Sequence, residues 1–183
     1  LVSAFLVGFY NTRASVEAAW KYIIICSAGI IFALLGTILF SFAFSATAAA
    51  KSLDWTSLTG AATLADRGLL KIAFVFILVG YGTKAGLAPM HTWLPDAHSQ
   101  AVSPVSALLS GVLLKTALYA ILRFGAIVIK GVGFEFFGSL MLFFGVLSLL
   151  ISCGFIIVQK DLKRLLAYSS IEHLGIVAVG FGL

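Results

Sequence analysis

Apolar residues fill most of this chain in long runs, and short polar segments separate the runs. The stretch between Lys21 and Lys51 carries no charged residue, and neither does the stretch between Glu135 and Lys160. Each stretch is long enough to cross a hydrocarbon core of ~30 Å as an α-helix. The pattern therefore predicts membrane-spanning helices, and these two spans are the clearest.

The remaining apolar runs extend this prediction to an all-α, polytopic transmembrane helix bundle of about six spans, one of them broken. Ser15, Asp66 and Asp161 precede apolar runs and have side chains suited to capping helices. Pro104 suits the first turn of another helix. The predicted spans are the end of a helix at residues 1–10, helices at residues 15–44, 66–90, 103–130 and 134–158, and a sixth after residues 160–164.

Two segments between these spans are too polar for lipid. Residues 45–64 are small and polar and include Lys51, Asp54 and Trp55, so we expect an exposed loop with an interfacial aromatic residue. Residues 91–100 form the second polar segment.

Both ends of the sequence are apolar. Residues 1–10 lack the positively charged start and small-residue cleavage site of a signal peptide. The sequence stops within an apolar run at residues 176–183. We therefore expect residues 1–183 to be part of a single transmembrane domain that is truncated at both ends.

Charged residues are sparse, and their placement gives weak indications of topology. Glu17 and Lys21 stand four residues apart and are expected to pair at the membrane edge. Basic residues are nearly level between the two sets of alternate loops. The densest short cluster, at Lys160, Lys163 and Arg164, favours a cytoplasmic face for its loop.

The composition excludes several classes of protein. With 61% hydrophobic and 10% charged residues, the chain falls outside the range of soluble domains. The net charge is +5, but the basic residues are scattered between apolar spans, which argues against a nucleic-acid partner. Cys26 and Cys153 lie singly in apolar spans, so we expect small core residues rather than a disulfide or metal ligands.

Two lysines lie where a membrane bundle tolerates charge poorly. Lys84 follows Lys71 by thirteen residues, and Lys115 follows Pro104 by eleven. These spacings correspond to roughly 20 Å and 16 Å along a helix, close to mid-membrane depth. A charge at that depth costs about 2.5–3.5 kcal/mol or more unless it is paired, hydrated or able to lose its proton.

A buried lysine can lose its proton near neutral pH because burial lowers its proton affinity. Lys84 and Lys115 are therefore candidates for a proton pathway. The alternatives are a lysine that extends its side chain to the membrane surface, or one fixed in a static salt bridge.

The sequence around Lys84 predicts a helix break. Gly82, Gly86 and Pro89 weaken the helix, and Pro89 cannot donate a backbone hydrogen bond to residue 85. Broken helices at membrane depth are common in ion pathways, although an ordinary proline kink is the alternative.

His91 and His98 follow the expected break. A histidine near the membrane can relay protons at neutral pH, and the alternative is that both merely hydrogen-bond the turn. Their spacing of seven residues without a third ligand argues against a metal site.

Several motifs resemble those of one membrane family. The segments are residues 84–99 (KAGLAPMHTWLPDAHS), 104–109 (PVSALL) and 161–170 (DLKRLLAYSS). They closely resemble the proton-antiporter-type subunits of respiratory complex I, multisubunit cation/proton antiporters and membrane-bound nickel-iron hydrogenases. Residues 4–8, 17–22 and 170–175 look most similar to component F of hydrogenase-4 and formate hydrogenlyase-type complexes.

This resemblance implies a longer helical bundle with two inverted repeats, each containing a broken helix. Lys84 matches the family's buried lysine, and Lys115 matches a lysine of the complex I relatives. His91 and His98 match the family's turn. The glutamate that partners Lys84 in the family would fall a few residues before Leu1.

The resemblance implies a proton-translocating subunit of a redox-driven complex that binds no redox cofactor itself and catalyses no reaction. Its expected partners are other membrane subunits, the lipid bilayer and, indirectly, redox subunits with nickel-iron or iron-sulfur centres. The expected location is the inner membrane of a prokaryotic cell. The alternatives are a subunit of a multisubunit sodium/proton antiporter, and a membrane scaffold with inert lysines.

Overall fold

The computed structural model describes residues 2–46 and 54–183, and this part of the chain is helical. A three-residue turn of 3-10 helix at Ala62–Leu64 follows α3, and a π-helical turn at Leu109–Leu113 joins α6 to α7 without a break. The helices are α1 (Val2–Val7), α2 (Arg13–Ala43), α3 (Trp55–Gly60), α4 (Arg67–Ala85), α5 (Trp93–Gln100), α6 (Ser103–Leu108), α7 (Leu114–Gly131), α8 (Phe134–Val158) and α9 (Leu162–Gly182).

Five helices in the described ranges are long and apolar enough to cross a bilayer, with α6 and α7 counted as one. They account for five of the six predicted spans. The first predicted span, at residues 1–10, contains α1, which has six described residues. The predicted all-α, multi-spanning bundle is confirmed.

Polar side chains cap the starts of three spans. Asp66 and Asp161 accept hydrogen bonds from backbone N–H groups in the first turns of α4 and α9, as predicted. The prediction of Ser15 as a cap was wrong by three residues. Thr12 caps α2, and Ser15 completes a reciprocal capping box in which each side chain bonds the other residue's backbone N–H.

The predicted exposed loop at residues 45–64 is partly helical. Trp55 begins α3, its indole N–H donates to the Arg123 carbonyl over 3.1 Å, and the Arg123 guanidinium lies 4.3 Å from the indole centroid. Leu58 is buried. The polar composition of the segment does not predict this docking onto α7, because only one buried leucine and one tryptophan hold the segment in place. Lys51 lies outside the described residues.

Antiparallel α2 and α4 form the closest helix pair on one side of the bundle. A Cβ atom at Gly80 would collide with the backbone of Ala33, and one at Gly36 would lie 2.8 Å from Ile77. Small residues let membrane helices approach until their backbones touch. This pairing fixes the start of α2 beside the end of α4.

Antiparallel α8 and α9 pair in the same way. A Cβ atom at Gly145 would lie 2.8 Å from Val179, and one at Gly175 would lie 3.0 Å from the Gly145 carbonyl oxygen. The bundle therefore consists of two tight helix pairs with α5 and the α6–α7 span packed between them.

Gly80→Ala is expected to lower the free energy of unfolding by about 1–3 kcal/mol, because the new methyl group meets backbone atoms that cannot rotate away. Gly154→Ala is the matched control, since nothing lies within 4 Å of a Cβ atom there. That control should be neutral or stabilising by up to ~1 kcal/mol through helix propensity. Thermal unfolding of the full-length protein in detergent measures both, and equal stabilities would contradict the packing described.

Candidate functional site

The helix that carries Lys84 ends at Ala85, within the interval where the sequence analysis expects a break. Gly86 adopts a left-handed conformation with φ of 84°, and a Cβ atom there would collide with the Leu94 side chain. The positive φ and the lack of space for a Cβ atom both require glycine at residue 86. The N–H groups of Gly86 and Leu87 both donate to the Gly82 carbonyl, and this ends the helix.

Gly82 therefore acts through its carbonyl, while a Cβ atom at this residue would lie 3.3 Å from the flexible end of Met90. Pro89 lies three residues beyond Gly86 and is exposed. Gly86 sets the end point of α4, and the missing N–H of Pro89 prevents the helix from resuming at once.

Side chains from distant helices bind the backbone groups that the break releases. Because Leu87 donates to Gly82, the Thr83 carbonyl loses its usual helical partner. The indole N–H of Trp93, at the start of α5, donates to that carbonyl over 2.8 Å. The N–H of Ala88 donates to the hydroxyl of Ser148 on α8 over 2.9 Å. The broken segment is thus satisfied inside protein, as the membrane requires.

Lys84 is half-buried beside two aromatic rings. Its Nζ donates to the Tyr22 hydroxyl over 2.5 Å and lies 4.6 Å from the centroid of that ring. The Trp93 ring centroid is 6.0 Å away, and the Tyr22 and Trp93 rings meet edge to face at 4.9 Å. The Tyr22 hydroxyl also bonds Ser3 on α1 over 2.8 Å.

The Lys84 ammonium lies beside the N-terminal part of α2, past the first turns of that helix. Tyr22 is nine residues into α2, roughly 14 Å from the start of that helix. Within residues 2–46 and 54–183, no carboxylate forms an ion pair with Lys84. Among the described residues, the Tyr22 hydroxyl and the faces of the Tyr22 and Trp93 rings therefore provide the electrostatic stabilisation of the Lys84 ammonium.

His91 and His98 are both buried close to the break, at 7% and 4% exposure. Burial lowers the pKa of His98 to about 4 and also lowers the pKa of His91, where a hydrogen bond with the Pro89 backbone opposes the shift. Burial therefore favours the neutral form of both imidazoles. Nδ1 of His91 and Nε2 of His98 have no hydrogen-bond partner among the described residues.

Asp96 ties α5 to two other helices. Its carboxylate accepts from Lys21 on α2 over 3.1 Å and from Arg164 on α9 over 2.8 Å. Lys21 also forms the predicted pair with Glu17, at 2.8 Å. These contacts bring α5 and the starts of α2 and α9 to one end of the bundle, which we call the α5 side.

The structure does not join Lys115 to this cluster. Leu114, Ala117 and Leu118 take the buried face of α7, whereas Lys115 is exposed. Within the described ranges its side chain has no hydrogen bond or ion pair. Lys115 does not face the interior that Leu114, Ala117 and Leu118 form.

No group of three or more His, Cys, Asp or Glu side chains in the part of the chain that the structure describes could hold a metal ion. Cys26 is buried, as expected of a small core residue, whereas Cys153 is exposed and the prediction for it was wrong.

A family model described as NADH:quinone oxidoreductase/Mrp antiporter, TM, matches residues 1–183. The chain belongs to this antiporter family. The family resemblance seen in residues 84–99 is thereby confirmed over the whole chain. Together with the five candidate spans, membership identifies a multi-pass membrane protein.

Two relatives illustrate the breadth of the antiporter family. Hydrogenase-4 component F homolog of Methylacidiphilum infernorum (isolate V4) is 45% identical over 185 residues, which cover 100% of this chain and 39% of the relative. NAD(P)H-quinone oxidoreductase chain 4 of Prochlorococcus marinus (strain MIT 9312) is 37% identical and covers 97% of this chain and 32% of the relative. The chain thus spans between 32% and 39% of the length of these relatives.

Solved structures share the same fold. The membrane-bound sulfane sulfur reductase, an archaeal respiratory membrane complex, matches with a TM-score of 0.89 and 26% identity over 99% of this chain and 36% of that chain. Respiratory complex I from Thermus thermophilus matches with a TM-score of 0.78 and 29% identity over 99% and 37%. The Mrp complex from Dietzia sp. DQ12-45-1b, at 0.79 and 22% identity over 93% and 30%, supports the fold alone.

Tyr22, Trp93 and Asp96 belong to the site but were not predicted from the sequence. The type of each side chain is by itself weak evidence for a site. Only the packing of α2 against α4 and α5 brings these residues to Lys84 or to one another. Glu172 and His173 were also passed over as chemical groups, although they lie ten and eleven residues into the α9 span. Ionisable residues at such depth are themselves a functional signal.

Trp93→Phe is expected to reduce the free energy of unfolding by about 1–3 kcal/mol, because it leaves the buried Thr83 carbonyl unpaired while keeping a ring against Tyr22. Trp55→Phe is the control, since its indole donates at an exposed position where water can replace it. Chemical or thermal unfolding of the full-length protein provides the comparison. Equal losses in the two variants would argue against the role given to Trp93.

Proposed function

We propose that this chain forms part of a proton-translocating membrane subunit of a redox-driven complex, of the hydrogenase-4 or NADH:quinone oxidoreductase kind. The observation that carries the proposal is Lys84, an ionisable side chain at a broken membrane helix, bonded to Tyr22 and without a carboxylate partner among the described residues. An amine can accept and donate a proton, which is what a proton carrier must do.

The surroundings of Lys84 support a transfer role over a structural one. Lys84 bonds the Tyr22 hydroxyl, and that hydroxyl contacts the Ser3 hydroxyl. Hydroxyl groups both donate and accept, so Ser3, Tyr22 and Lys84 form a continuous hydrogen-bonded chain from α1 to α4.

The position of α1 supports the family's glutamate as the opposing group. We expect that glutamate a few residues before Leu1, and Ser3 on α1 contacts the hydroxyl that accepts from Lys84. An ionised carboxylate near Lys84 would raise its proton affinity, and movement or neutralisation of that carboxylate would lower it. This difference would switch the lysine between holding and releasing a proton.

We assign different roles to the other predicted pathway residues, His91, His98 and Lys115. Burial favours the neutral forms of His91 and His98, so they would bond water or pass a proton briefly rather than store charge. Lys115 remains a candidate, but it is exposed, so its partner would have to come from protein outside the described residues.

The relatives support the assignment to a redox-driven complex. Their names place them in hydrogenase-4 and in NAD(P)H-quinone oxidoreductase, and the higher identity is to the hydrogenase-4 relative. We propose that this chain likewise works with other membrane subunits in the inner membrane of a prokaryotic cell. Electron transfer would occur in redox subunits with nickel-iron or iron-sulfur centres, and this chain would bind no redox cofactor.

A sodium/proton antiporter subunit is the second candidate, supported by the family description, which names the Mrp antiporter. The two candidates differ in their energy source. Proton translocation that stops when the electron donor is withheld favours the redox-driven complex. Exchange that continues on an imposed sodium gradient without a donor favours the antiporter.

Lys84→Met should leave the complex assembled but strongly reduce proton translocation coupled to electron transfer, because methionine keeps length and packing but cannot titrate. Lys71→Met is the matched control, a lysine on the same helix that is exposed and lies 5.5 Å from the Phe136 ring. The measurement is pH-gradient formation in vesicles of wild-type and variant complex at equal subunit content. Unchanged translocation in Lys84→Met would refute Lys84 as an essential carrier and favour the scaffold alternative.

A further inference from the structure

One arginine and two aromatic side chains form a cluster near the end of the bundle opposite the α5 side. The guanidinium of Arg123, on α7, lies 4.3 Å from the Trp55 ring centroid and 5.3 Å from the Tyr119 ring centroid. The Trp55 indole also donates to the Arg123 carbonyl, which fixes α3 against α7. We call these three side chains the arginine cluster. The proposed function assigns no role to it.

The guanidinium of Arg123 has unused hydrogen-bonding capacity. Among the described residues, its N–H groups donate to no acceptor and no carboxylate forms an ion pair with it. The acidic residues near this end are Asp54, Asp66 and Glu135, and the Asp66 carboxylate accepts from the Leu69 N–H. Because the two rings restrict the rotation of the guanidinium, its N–H groups are oriented in advance for an anion.

The depth of the arginine cluster matches the boundary between hydrocarbon and lipid headgroups. The α6–α7 span, Ser103–Gly131, has 29 residues, roughly 43 Å, and is longer than a hydrocarbon core of ~30 Å. Arg123 is eight residues before Gly131, so its backbone lies roughly 6 Å inside the hydrocarbon if both ends protrude equally. Its long side chain can then reach the boundary.

A second cation lies on the same face of α7. Lys130 follows Arg123 by seven residues, close to two helical turns, so the two side chains leave the helix in the same direction about 10 Å apart along its axis. Lys130 is exposed, and in the part of the chain that the structure describes it has no ion pair or hydrogen bond. Lys130 therefore lies on the water side of the boundary, and lipid phosphates lie at the level between the two cations.

We propose that the arginine cluster and Lys130 bind the phosphate of an anionic phospholipid. A guanidinium can bind two phosphate oxygens at once, and a lysine adds a point charge. The two rings favour a lipid over an acidic protein segment, because Trp and Tyr suit a boundary that is apolar on one side and wet on the other. The site does not include Lys115, which lies eight residues deeper on α7, below the level of the phosphates.

Photocrosslinking in bilayers of defined composition tests the site. The full complex is reconstituted into phosphatidylcholine nanodiscs that contain a small fraction of a photoreactive lipid. That probe is either phosphatidylglycerol or phosphatidylcholine, each with the same diazirine near the glycerol. Mass spectrometry then quantifies labelling of the peptides that contain residues 54–66 and 119–133. The probes differ only in their headgroups, so the ratio of labelling measures the preference for the anionic lipid.

We expect the anionic probe to label these peptides on the order of fivefold more than the zwitterionic probe, as attraction by one or two cations predicts. Arg123→Gln should remove most of this preference. Arg123→Lys should keep part of it, because lysine keeps the charge but not the fork of N–H groups. Arg67→Gln is the matched control and should keep the preference, since Arg67 is an exposed arginine at the start of α4 without a ring contact among the described residues.

Equal labelling by the two probes, a preference that persists in Arg123→Gln, or an equal loss in Arg67→Gln would each overturn the proposal. Absence of labelling by either probe would also overturn it, since a protein segment would then cover this face of α7. If Arg123→Gln does not assemble, Lys130→Gln tests the same requirement for charge at an exposed residue. Lys84→Met should leave the labelling unchanged, because lipid binding does not depend on which ion the protein transports.

Discussion

The fold around the site depends on one constraint, which is that a helix broken inside a membrane must have its freed backbone groups bonded by protein. At the end of α4 the Gly82 carbonyl accepts two N–H groups, the Trp93 indole binds the Thr83 carbonyl, and Ser148 binds the Ala88 N–H. In hydrocarbon no water could replace these partners. The chain must therefore return Trp93 against α4, and this return also places the Trp93 ring beside Tyr22 and Lys84.

The contribution of each contact around α5 to stability depends on how much solvent reaches it. The pairs of Asp96 with Lys21 and Arg164 involve side chains that are 23–47% exposed, and such pairs contribute only about 0–1 kcal/mol each. The fully buried Trp93 and Leu94 hold α5 more firmly. Asp96 therefore contributes mainly to orientation, since it connects α5 to two helices that come from distant parts of the sequence.

Much of the architecture could be predicted from the sequence because membrane spans are local features. Hydropathy located the spans, and Asp66 and Asp161 marked helix starts through side chains that reach only a few residues. The prediction for residues 45–64 was wrong because a non-local contact decided the outcome there. Trp55 docks on Arg123 and holds residues 55–60 as a helix against α7.

The sequence by itself determined the helical class, the spans, the family and the region of the break, since each follows from residue type and short spacing. It also singled out Lys84 and the two histidines as candidates. The tertiary structure decided which groups meet them. Tyr22 is 62 residues from Lys84. The two meet because glycine contacts bring α2 and α4 together at one particular register, and no local pattern encodes the register between two helices.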